Sequence, residues 1–336
     1  MTTINDVARA AGVSVSTVSR ALRGLDRVSP QTRARVAQAA TELRYVASPT
    51  ASSLASGRTR AVAVVFPFLT RWFFATLISG IEQTLRRHDH HVLLIALEGE
   101  SFGTRLRLSR SMLWKRVDGV IVLATSLDGQ EQAVIDNLGL PVVTNGNRID
   151  GWSCVRIDDE EAMRLAVRHL LDLGHTEVAY VGARPDASAY PRIPQDRARA
   201  FAETLGASGV SCQPEWMVES DWTGPGAARD IMPVLTGPSR PTAVVAASDE
   251  MALGVMGAAR RLRLAIPGDL SVVGVDDHVL SSALGLTTVR QDVLHQGRRT
   301  GEVLMRQLTG EDVAVVDEVM PVRLVVREST APPARR

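Results

Sequence analysis

From residue 60 onward, short runs of valine, isoleucine, leucine and alanine alternate with amphipathic helical patterns. Continuous apolar runs are typical of strands that are buried on both faces, so the pattern predicts parallel sheets covered by helices. The predicted strands are 61–66, 91–97, 119–123, 141–145, 155–158, 177–182, 243–247 and 271–275. The predicted helices between them include 73–88, 159–173, 195–205, 224–235 and 250–262.

The chain has 336 residues, which is enough for two such α/β lobes and a smaller N-terminal domain. Ligands of open α/β sheets bind at the carboxyl ends of the strands, and two lobes can enclose a ligand in the cleft between them. We therefore expect a small all-α head followed by an α/β sensor of two doubly wound lobes, with a small-molecule site between the lobes.

The first 45 residues carry the start signals of three helices. Thr3 is followed three residues later by Asp6, which is a capping-box pattern. Ser14 can cap a second helix, and Ser29 precedes a proline at the first position of a third. The three predicted helices cover about 4–11, 15–23 and 30–44.

The spacing of three residues in this head indicates a helix-turn-helix. Ala8 is small enough for two helices to cross closely, Gly12 can adopt a positive φ in a sharp turn, and Val18 lies on the inner face of the second helix. Such a pair of helices can place the second helix in the major groove of DNA.

Three residues of the second helix point away from Val18 and are candidates for base contacts. Arg20 can pair with a guanine edge, Ser16 can hydrogen-bond a base or a phosphate, and Val15 can touch a thymine methyl group. The alternative for Arg20 is a phosphate contact or a solvated surface position.

Charge supports the same interpretation. The first 60 residues contain nine arginines and three carboxylates, although the net charge of the whole chain is only +1. A basic head on a mildly acidic remainder indicates that the head meets a polyanion.

The segment 48–57 reads as one or two helical turns that are too short to be stable alone in water. Ala51 and Ala55 would let two copies pack closely across a dimer axis, and Leu54 would then be an apolar wedge for the minor groove. Taken alone, the composition of the segment favours a plain Ser/Ala linker.

Several classes of protein are excluded by what the sequence lacks. It has no secretory signal, no apolar run long enough to cross a bilayer, and neither a P-loop nor the glycine fingerprint of a dinucleotide site. Cys154 and Cys212 have no metal-ligand spacing, and His88, His90 and His91 have no acidic or thiol partners at metal-ligand spacing. We therefore expect a cytoplasmic protein that is not an enzyme and has no metal or cofactor.

The chain resembles the lactose-repressor (LacI/GalR) family of transcription regulators over nearly its whole length. In the head, the resemblance lies in "TTINDVARAAGVSVSTVSRAL", "VSPQTRARV" and "RYVASPTASSLASGRT". In the body it lies in "VDGVIVL" (117–123), "HLLDLGHTEVAYVG" (169–182), "DRARAF" (196–201), "PTAVVAASDEMALG" (241–254), "SVVGVDD" (271–277), "LTTVRQD" (286–292) and "LVVREST" (324–330). Family members usually carry a proline where this chain has Ala47, which should make the start of the hinge less rigid.

The resemblance implies an organisation and partners. The expected domains are a DNA-binding head (1–47), a hinge (48–59), a sensor (60–330) and a tail (331–336). Within the sensor, the first lobe is expected at 60–158 and 291–322, and the second at 159–289 and 323–330. A homodimer should bind a pseudo-palindromic operator, and the short tail leaves no room for a tetramerising helix. A solute-binding protein of the same sensor fold is the alternative from another class, and the basic head argues against it.

The resemblance also implies the site residues. The DNA contacts are expected from Thr3, Val15, Ser16, Thr17, Arg20, Ser29, Leu54 and Ala55. The effector contacts are expected from Phe73, Phe74, Asn147, Arg197, Trp222, Ser248, Asp276 and Gln291. These residues favour a sugar, with a purine or a co-repressor as the alternative, and either Gly146 or Asn147 can align with the family's polar position.

Overall fold

The computed structural model describes residues 2–22, 24–45, 57–98, 105–183, 192–311 and 314–334. The chain forms two compact units, Met1–Thr59 and Arg60–Arg336. The described part of the first unit contains α1 (Ile4–Ala11), α2 (Val15–Leu22) and α3 (Pro30–Glu42). Leu54 and Ala55 lie outside the described residues.

Local signals determine where the helices of the first unit begin and turn. The main-chain N–H of Thr17 donates to Ser14 Oγ over 3.1 Å, and that of Thr32 donates to Ser29 Oγ over 3.2 Å. Between α1 and α2, Gly12 has a φ of 60°, a conformation that glycine adopts without steric cost. The predicted caps and the predicted turn are confirmed.

The three helices pack on a small apolar core. Val7, Val18 and Val36 are fully buried, one from each helix, and Ala8 is nearly so. This burial explains the spacing of Ala8 and Val18 in the sequence, because both side chains face the interior of the helix-turn-helix. The third helix ends at Glu42, two residues earlier than predicted.

Two six-stranded sheets form the second unit, one in each lobe. The first sheet is parallel throughout and has the order β11-β5-β4-β3-β1-β2. Its strands are β1 (Ala61–Phe66), β2 (His91–Ala96), β3 (Gly119–Leu123), β4 (Val142–Asn145), β5 (Ser153–Ile157) and β11 (Asp317–Met320).

The second sheet has the order β12-β10-β9-β8-β6-β7, and only the pairing of β12 with β10 is antiparallel. Its strands are β6 (Val178–Ala183), β7 (Met217–Ser220), β8 (Ala243–Ala246), β9 (Ser271–Asp276), β10 (Thr287–Gln291) and β12 (Val322–Val325). Two mainly parallel sheets covered by helices confirm the predicted fold class.

The helices of the second unit lie against these sheets. They are α4 (Trp72–Arg87), α5 (Arg110–Leu113), α6 (Gly129–Asp136), α7 (Asp159–Asp172), α8 (Ile193–Ala207), α9 (Gly224–Asp230), α10 (Met232–Thr236), α11 (Asp249–Arg261) and α12 (Val293–Thr309). The single helix predicted over 224–235 is wrong, because the chain forms the two helices α9 and α10 there. Pro233 near the start of α10 lacks the N–H that a continuous helix would require.

Each passage of the chain between the lobes consists of a single residue. Asp158 lies between β5 and α7, Asp292 between β10 and α12, and Pro321 between β11 and β12. Asp158 Oδ1 accepts from the N–H of Glu161 over 2.8 Å, and Asp292 Oδ1 accepts from the N–H of His295 over 3.1 Å. Two of these one-residue links are therefore also helix caps.

The lobe boundaries differ slightly from the expected ones. Gln291 and Val322 are paired in the second sheet, although the sequence had assigned both to the first lobe. The difference arises because the pairing of β10 with β12 extends to the last residue before each link.

Glycines allow close helix packing in both lobes. In the first lobe, a Cβ on Gly297 would lie 2.1 Å from the carbonyl oxygen of Leu77, and one on Gly80 would lie 2.3 Å from that of Leu294. Helices α4 and α12 therefore approach each other at a distance that a side chain at either glycine would prevent. In the second lobe, a Cβ on Gly254 would lie 2.1 Å from the carbonyl oxygen of Gly224, where α9 meets α11.

Candidate functional site

The outer face of α2 presents the side chains that were expected to contact bases. Val15 is 40% exposed, Ser16 and Arg20 are also exposed, and Val18 on the opposite face is fully buried. Thr17 is half-buried and its hydroxyl hydrogen-bonds with Ser14 Oγ over 2.8 Å. Three side chains are therefore exposed on one face of the helix, although the Ser16 hydroxyl, like that of Thr17, hydrogen-bonds with Ser14 Oγ over 2.8 Å.

Arg20 has a partner within the head. Its Nη2 donates to the main-chain carbonyl of Asp26 over 2.7 Å, which holds the guanidinium against the turn that follows α2. A bidentate contact to guanine would have to replace this hydrogen bond, and a bond with a charged partner has a net value of about 1.5–3 kcal/mol.

Thr3 and Ser29 lie at the N-termini of α1 and α3, and both are exposed. Thr3 donates its main-chain N–H and its hydroxyl to Asp6 Oδ2 over 3.0 and 2.8 Å, and these hydrogen bonds hold the pKa of Asp6 below its usual value. Helix N-termini offer free N–H groups to phosphates, so both positions suit contacts to the DNA backbone.

In the second unit, a cavity of about 50 Å³ lies between the two lobes. Six of the eight residues expected to contact the effector line it: Phe73, Phe74, Arg197, Trp222, Asp276 and Gln291. The other residues lining it are Arg71, Trp72, Ala124, Ile193 and Glu250. Small-molecule sites usually enclose about 300–1,000 Å³, so the cavity in this arrangement is smaller than a typical ligand site.

Asp276 is the most buried acid among the residues that line this cavity. Its Oδ1 accepts from Gln291 Nε2 over 2.5 Å, and Gln291 Oε1 in turn accepts from Gln296 Nε2 over 3.0 Å. Burial raises the pKa of Asp276 to about 8 and nearby Asp249 adds to the rise, although Arg197 opposes it. The carboxyl group is therefore protonated over much of the neutral range in this closed arrangement.

Arg197 is held in place by groups of its own lobe. Its Nε donates to Asp159 Oδ1 over 2.8 Å, and its Nη1 donates to the carbonyl of Ala247. The guanidinium also lies 5.8 Å from the centre of the Trp222 ring. Burial raises the pKa of Asp159, against the lowering effect of the arginine. Arg197 is thus positioned before any ligand enters.

Trp222 connects the two lobes through its backbone. Arg71 of the first lobe donates from Nη1 to the carbonyl of Trp222 over 2.7 Å and from Nη2 to that of Asp221 over 3.4 Å. Trp222 has a φ of 62° and Asp276 a φ of 133°. Positive φ is rare for residues other than glycine and clusters at functional sites.

An aromatic wall faces Trp222 from the first lobe. Phe73 and Phe74 pack edge to face, with ring centres 5.2 Å apart. Trp72 meets His278 of the second lobe, with ring centres 4.6 Å apart. The cavity therefore combines aromatic surfaces from both lobes with polar groups that come mainly from the second lobe.

Two expected effector residues are not brought to this cavity. Ser248 is buried and its Oγ accepts from the N–H of Met251 over 3.3 Å, so the hydroxyl caps α11. Asn147 is also buried, and its Nδ2 donates to the carbonyl of Thr125 over 3.4 Å. Gly146 packs against Ala124 and has no side chain to offer.

Sequence reasoning missed several residues that build the site. Asp249, fully buried, accepts from the N–H of His278 and from the hydroxyls of Ser281 and Thr288, and so supports the loop after β9. Burial raises the pKa of Asp249. Its place directly after Ser248 was the available signal, since an acid at the start of a helix beneath a strand end needs partners. Arg71, Asp159 and Gln296 were missed as well.

The described residues contain no group of three or more His, Cys, Asp or Glu side chains that could hold a metal ion. None of the helices described is both long and apolar enough to cross a membrane.

A helix-turn-helix head joined to a two-lobed sensor defines the class of ligand-controlled transcription regulators. Residues 3–48 match the protein family described as "Bacterial regulatory proteins, lacI family", and residues 167–330 match the "Periplasmic binding protein-like domain". The chain is 31% identical to catabolite control protein A of Priestia megaterium over 335 residues, which is 98% of this chain and 99% of that protein. The chain belongs to the LacI family of bacterial regulatory proteins, and it is a DNA-binding regulator rather than an enzyme.

Solved structures agree with this assignment over the whole length. The lac repressor dimer bound to operator and the anti-inducer ONPF has a TM-score of 0.85 and 28% identity, covering 98% of this chain and 99% of that one. The complex of the transcriptional regulator CelR with cellobiose has a TM-score of 0.71 and 30% identity, covering 98% of this chain and 100% of that one.

Proposed function

We propose that this protein is a cytoplasmic, dimeric repressor that binds a pseudo-palindromic operator and responds to a sugar in the cleft between its lobes. The observation that supports a sugar is the meeting of Trp222 and Phe73 with Asp276 and Gln291 in one cavity. We also propose the division into a head (1–47), a hinge (48–59) and a sensor (60–330).

The chemistry of the cavity suits a polyhydroxy ligand. A sugar ring presents apolar C–H faces and a rim of hydroxyl groups, which require aromatic surfaces and hydrogen-bonding groups respectively. Trp222 and Phe73 supply the surfaces, while Asp276 and Gln291 supply polar atoms that hydrogen-bond to each other and to Gln296. The relative CelR is described as a complex with cellobiose, which supports the same class.

The two sites are coupled through the angle between the lobes. A ligand that fills the cleft changes how far Arg71 and Trp222 are apart, and the change is passed to the DNA-binding head through the start of β1. Such couplings between sites typically amount to about 1–3 kcal/mol. Whether the ligand weakens or strengthens DNA binding depends on which lobe angle favours the operator.

A thermal-shift screen of the full chain tests this function. The compounds are pentoses, hexoses, disaccharides, sugar phosphates and purines, with Trp222→Ala as the binding variant. Trp114→Ala is the matched control, because Trp114 is 50% exposed and does not line the cleft. A ligand at about 100 times its Kd adds about 2.7 kcal/mol of stability, which gives a clear shift.

The expected result is a sugar that stabilises the wild type and the Trp114→Ala variant but not Trp222→Ala. A rise in melting temperature with purines alone would show that the effector is a purine and not a sugar. Stabilisation that persists in Trp222→Ala would contradict the cleft as the site. Fluorescence anisotropy of labelled operator, with and without the compound, then distinguishes an inducer from a co-repressor.

A further inference from the structure

The amino ends of three strands of the first lobe lie side by side at one edge of its sheet. The N–H of His91, at the start of β2, donates to the carbonyl of Arg60 over 2.8 Å. The N–H of Asp118, next to the start of β3, donates to the carbonyl of Ala61 at the start of β1 over 2.7 Å. Residues that precede these three strands therefore share this edge.

Exposed arginine and lysine side chains are concentrated at the amino ends of these strands, and we call this group of side chains the basic edge. They come from the residues before β1 and β3 and from the end of α4: Arg60, Arg86, Arg87, Arg110, Lys115 and Arg116. Three carboxylates lie among them: Glu82, Asp89 and Asp118. Glu82 pairs with Arg86 over 3.5 Å, and Asp118 Oδ2 accepts from the main-chain N–H of Arg60 over 2.7 Å. Among the described residues, Arg87, Lys115 and Arg116 form no ion pair.

An exposed tryptophan lies within the basic edge. Trp114 is 50% exposed, and its ring centre lies 5.0 Å from the guanidinium of Arg110 and 4.6 Å from the ammonium of Lys115. Cations held over an aromatic ring are partly ordered before they meet a partner, so less entropy is lost on binding. Tryptophan is usually well buried, so the exposure of Trp114 between two cations is unusual.

The cations of this sheet edge are denser beside β1, β2 and β3 than beside β4 and β5, where Arg306 is exposed next to Gln307, whose amide bonds Ser153 at the start of β5. Beside β4 and β5, the same edge carries the exposed carboxylates Asp136 and Asp150. The chain arrives from the DNA-binding unit at Arg60, which is part of the basic edge. A polyanion held by the head is thereby tethered to this part of the lobe, and tethering raises its effective concentration there.

We propose that the basic edge is a second DNA-binding surface, which holds phosphates of the DNA that flanks the operator. This inference rests on the proposed function, since the head must first place the protein on an operator. Arginine and lysine contacts to phosphates carry no sequence information, so the basic edge adds affinity and not specificity. Each phosphate contact contributes to the salt dependence of binding.

The test compares two duplexes and two charge-reversal variants of the full chain. One duplex ends at the limits of the operator, and the other adds about 10 bp of arbitrary sequence, one helical turn, on each side. The variant is Lys115→Glu with Arg116→Glu. The matched control is Arg260→Glu with Arg261→Glu, two exposed neighbouring arginines in the last turn of α11 in the other lobe.

The longer duplex should bind the wild type more tightly and with a steeper fall of log K against log salt. The slope changes by about 0.9 for each phosphate that the protein neutralises, so the Lys115/Arg116 variant should show little of the extra slope and the extra affinity. Its affinity for the short duplex, and that of the control for both duplexes, should change by less than about threefold.

Equal affinity of the wild type for both duplexes would overturn the proposal, as would an equal loss of affinity in the control variant. If the charge reversal lowers the melting temperature, the pair Lys115→Ala and Arg116→Ala provides the same comparison. If the wild type binds neither duplex specifically, the proposed repressor function itself is rejected. Measurements on the wild type alone therefore distinguish this outcome from failure of the basic edge.

Discussion

Arg71 of the first lobe donates a hydrogen bond of 2.7 Å to the main-chain carbonyl of Trp222 in the second lobe. The bond joins residues that are 151 positions apart, and both residues line the cavity between the lobes. Because the acceptor is a main-chain atom, substitution of Trp222 leaves it in place. The hydrogen bond from Arg71 and the aromatic surface of Trp222 can therefore be tested separately.

Arg71→Ala should shift the ligand-free protein towards an open cleft. The change removes two hydrogen bonds between the lobes, and bonds with a charged partner have net values of about 1.5–3 kcal/mol. Small-angle X-ray scattering should report a larger radius of gyration for the variant. Arg168→Ala, at an exposed position of α7, is the control. Identical scattering from all three proteins would show that Arg71 does not hold the lobes together.

Asp276 should release a proton when a sugar binds near pH 7. Its pKa is raised to about 8 in the closed cavity, so the carboxyl is mostly protonated there, whereas hydroxyl donors of a ligand favour the carboxylate. Affinity should then rise with pH up to about 8. Calorimetric titrations in two buffers with different ionisation enthalpies measure the proton. Equal enthalpies in both buffers would contradict the prediction, and Asp276→Asn should abolish any difference.

The same acid should affect stability in the absence of ligand. Because its pKa is raised from 3.8 to about 8 on folding, the folded state binds more protons than the unfolded state between these values. Stability should therefore fall as pH rises through this window. Asp276→Asn should show a smaller fall in the free energy of unfolding, with a remaining part from Asp249, whose pKa is also raised. A variant whose pH profile is the same as that of the wild type would rule out this role.

Arg20→Ala should weaken binding to the cognate operator by about 1–3 kcal/mol and binding to random DNA much less. The reason is that a bidentate contact to guanine discriminates between bases, whereas a phosphate contact does not. Anisotropy titrations with a duplex selected from random sequence provide the measurement. Arg9→Ala, at an exposed position of α1, is the matched control. Equal losses on both DNAs would assign Arg20 to the phosphates.

Gly297→Ala should destabilise the protein by about 1–3 kcal/mol, because the new Cβ would lie 2.1 Å from the carbonyl of Leu77 and force α4 and α12 apart. Gly257→Ala, in the middle of α11 with open space around its Cα, should instead stabilise by up to about 1 kcal/mol. Urea unfolding of both variants gives the comparison. A neutral result at Gly297 would mean that the two helices separate at little cost.

Most strands could be predicted from the sequence, including the edge strand β2, whereas β7, β10, β11 and β12 were not predicted. Strands β1 and β3 have the predicted bounds because they are almost entirely buried apolar runs. Strands β11 and β12 contain exposed and charged positions, since each lies at a sheet edge, and neither was predicted. Their pairing depends on partners from distant parts of the chain.

Most residues of the candidate site could be predicted from the sequence, but their contacts with one another could not. The family resemblance pointed to Asp276, Gln291 and Trp222, which do line one cavity. It also pointed to Ser248, whose hydroxyl is committed to the cap of α11. The hydrogen bond from Arg71 to Trp222 could not be predicted, because the acceptor is a main-chain carbonyl, which every residue type has.

The one-residue links leave the sensor with very little mechanical freedom. Consecutive Cα atoms are about 3.8 Å apart, so the residues flanking each link cannot be more than about 7.6 Å apart. Three such tethers prevent the lobes from drifting apart or sliding and leave mainly rotation. Binding of a ligand in the cleft should then affect DNA binding only through the angle between the two lobes, whatever the chemistry of the ligand. Substitutions in the cleft can thus change which ligand binds, while the effect of binding is still a change of the angle between the lobes.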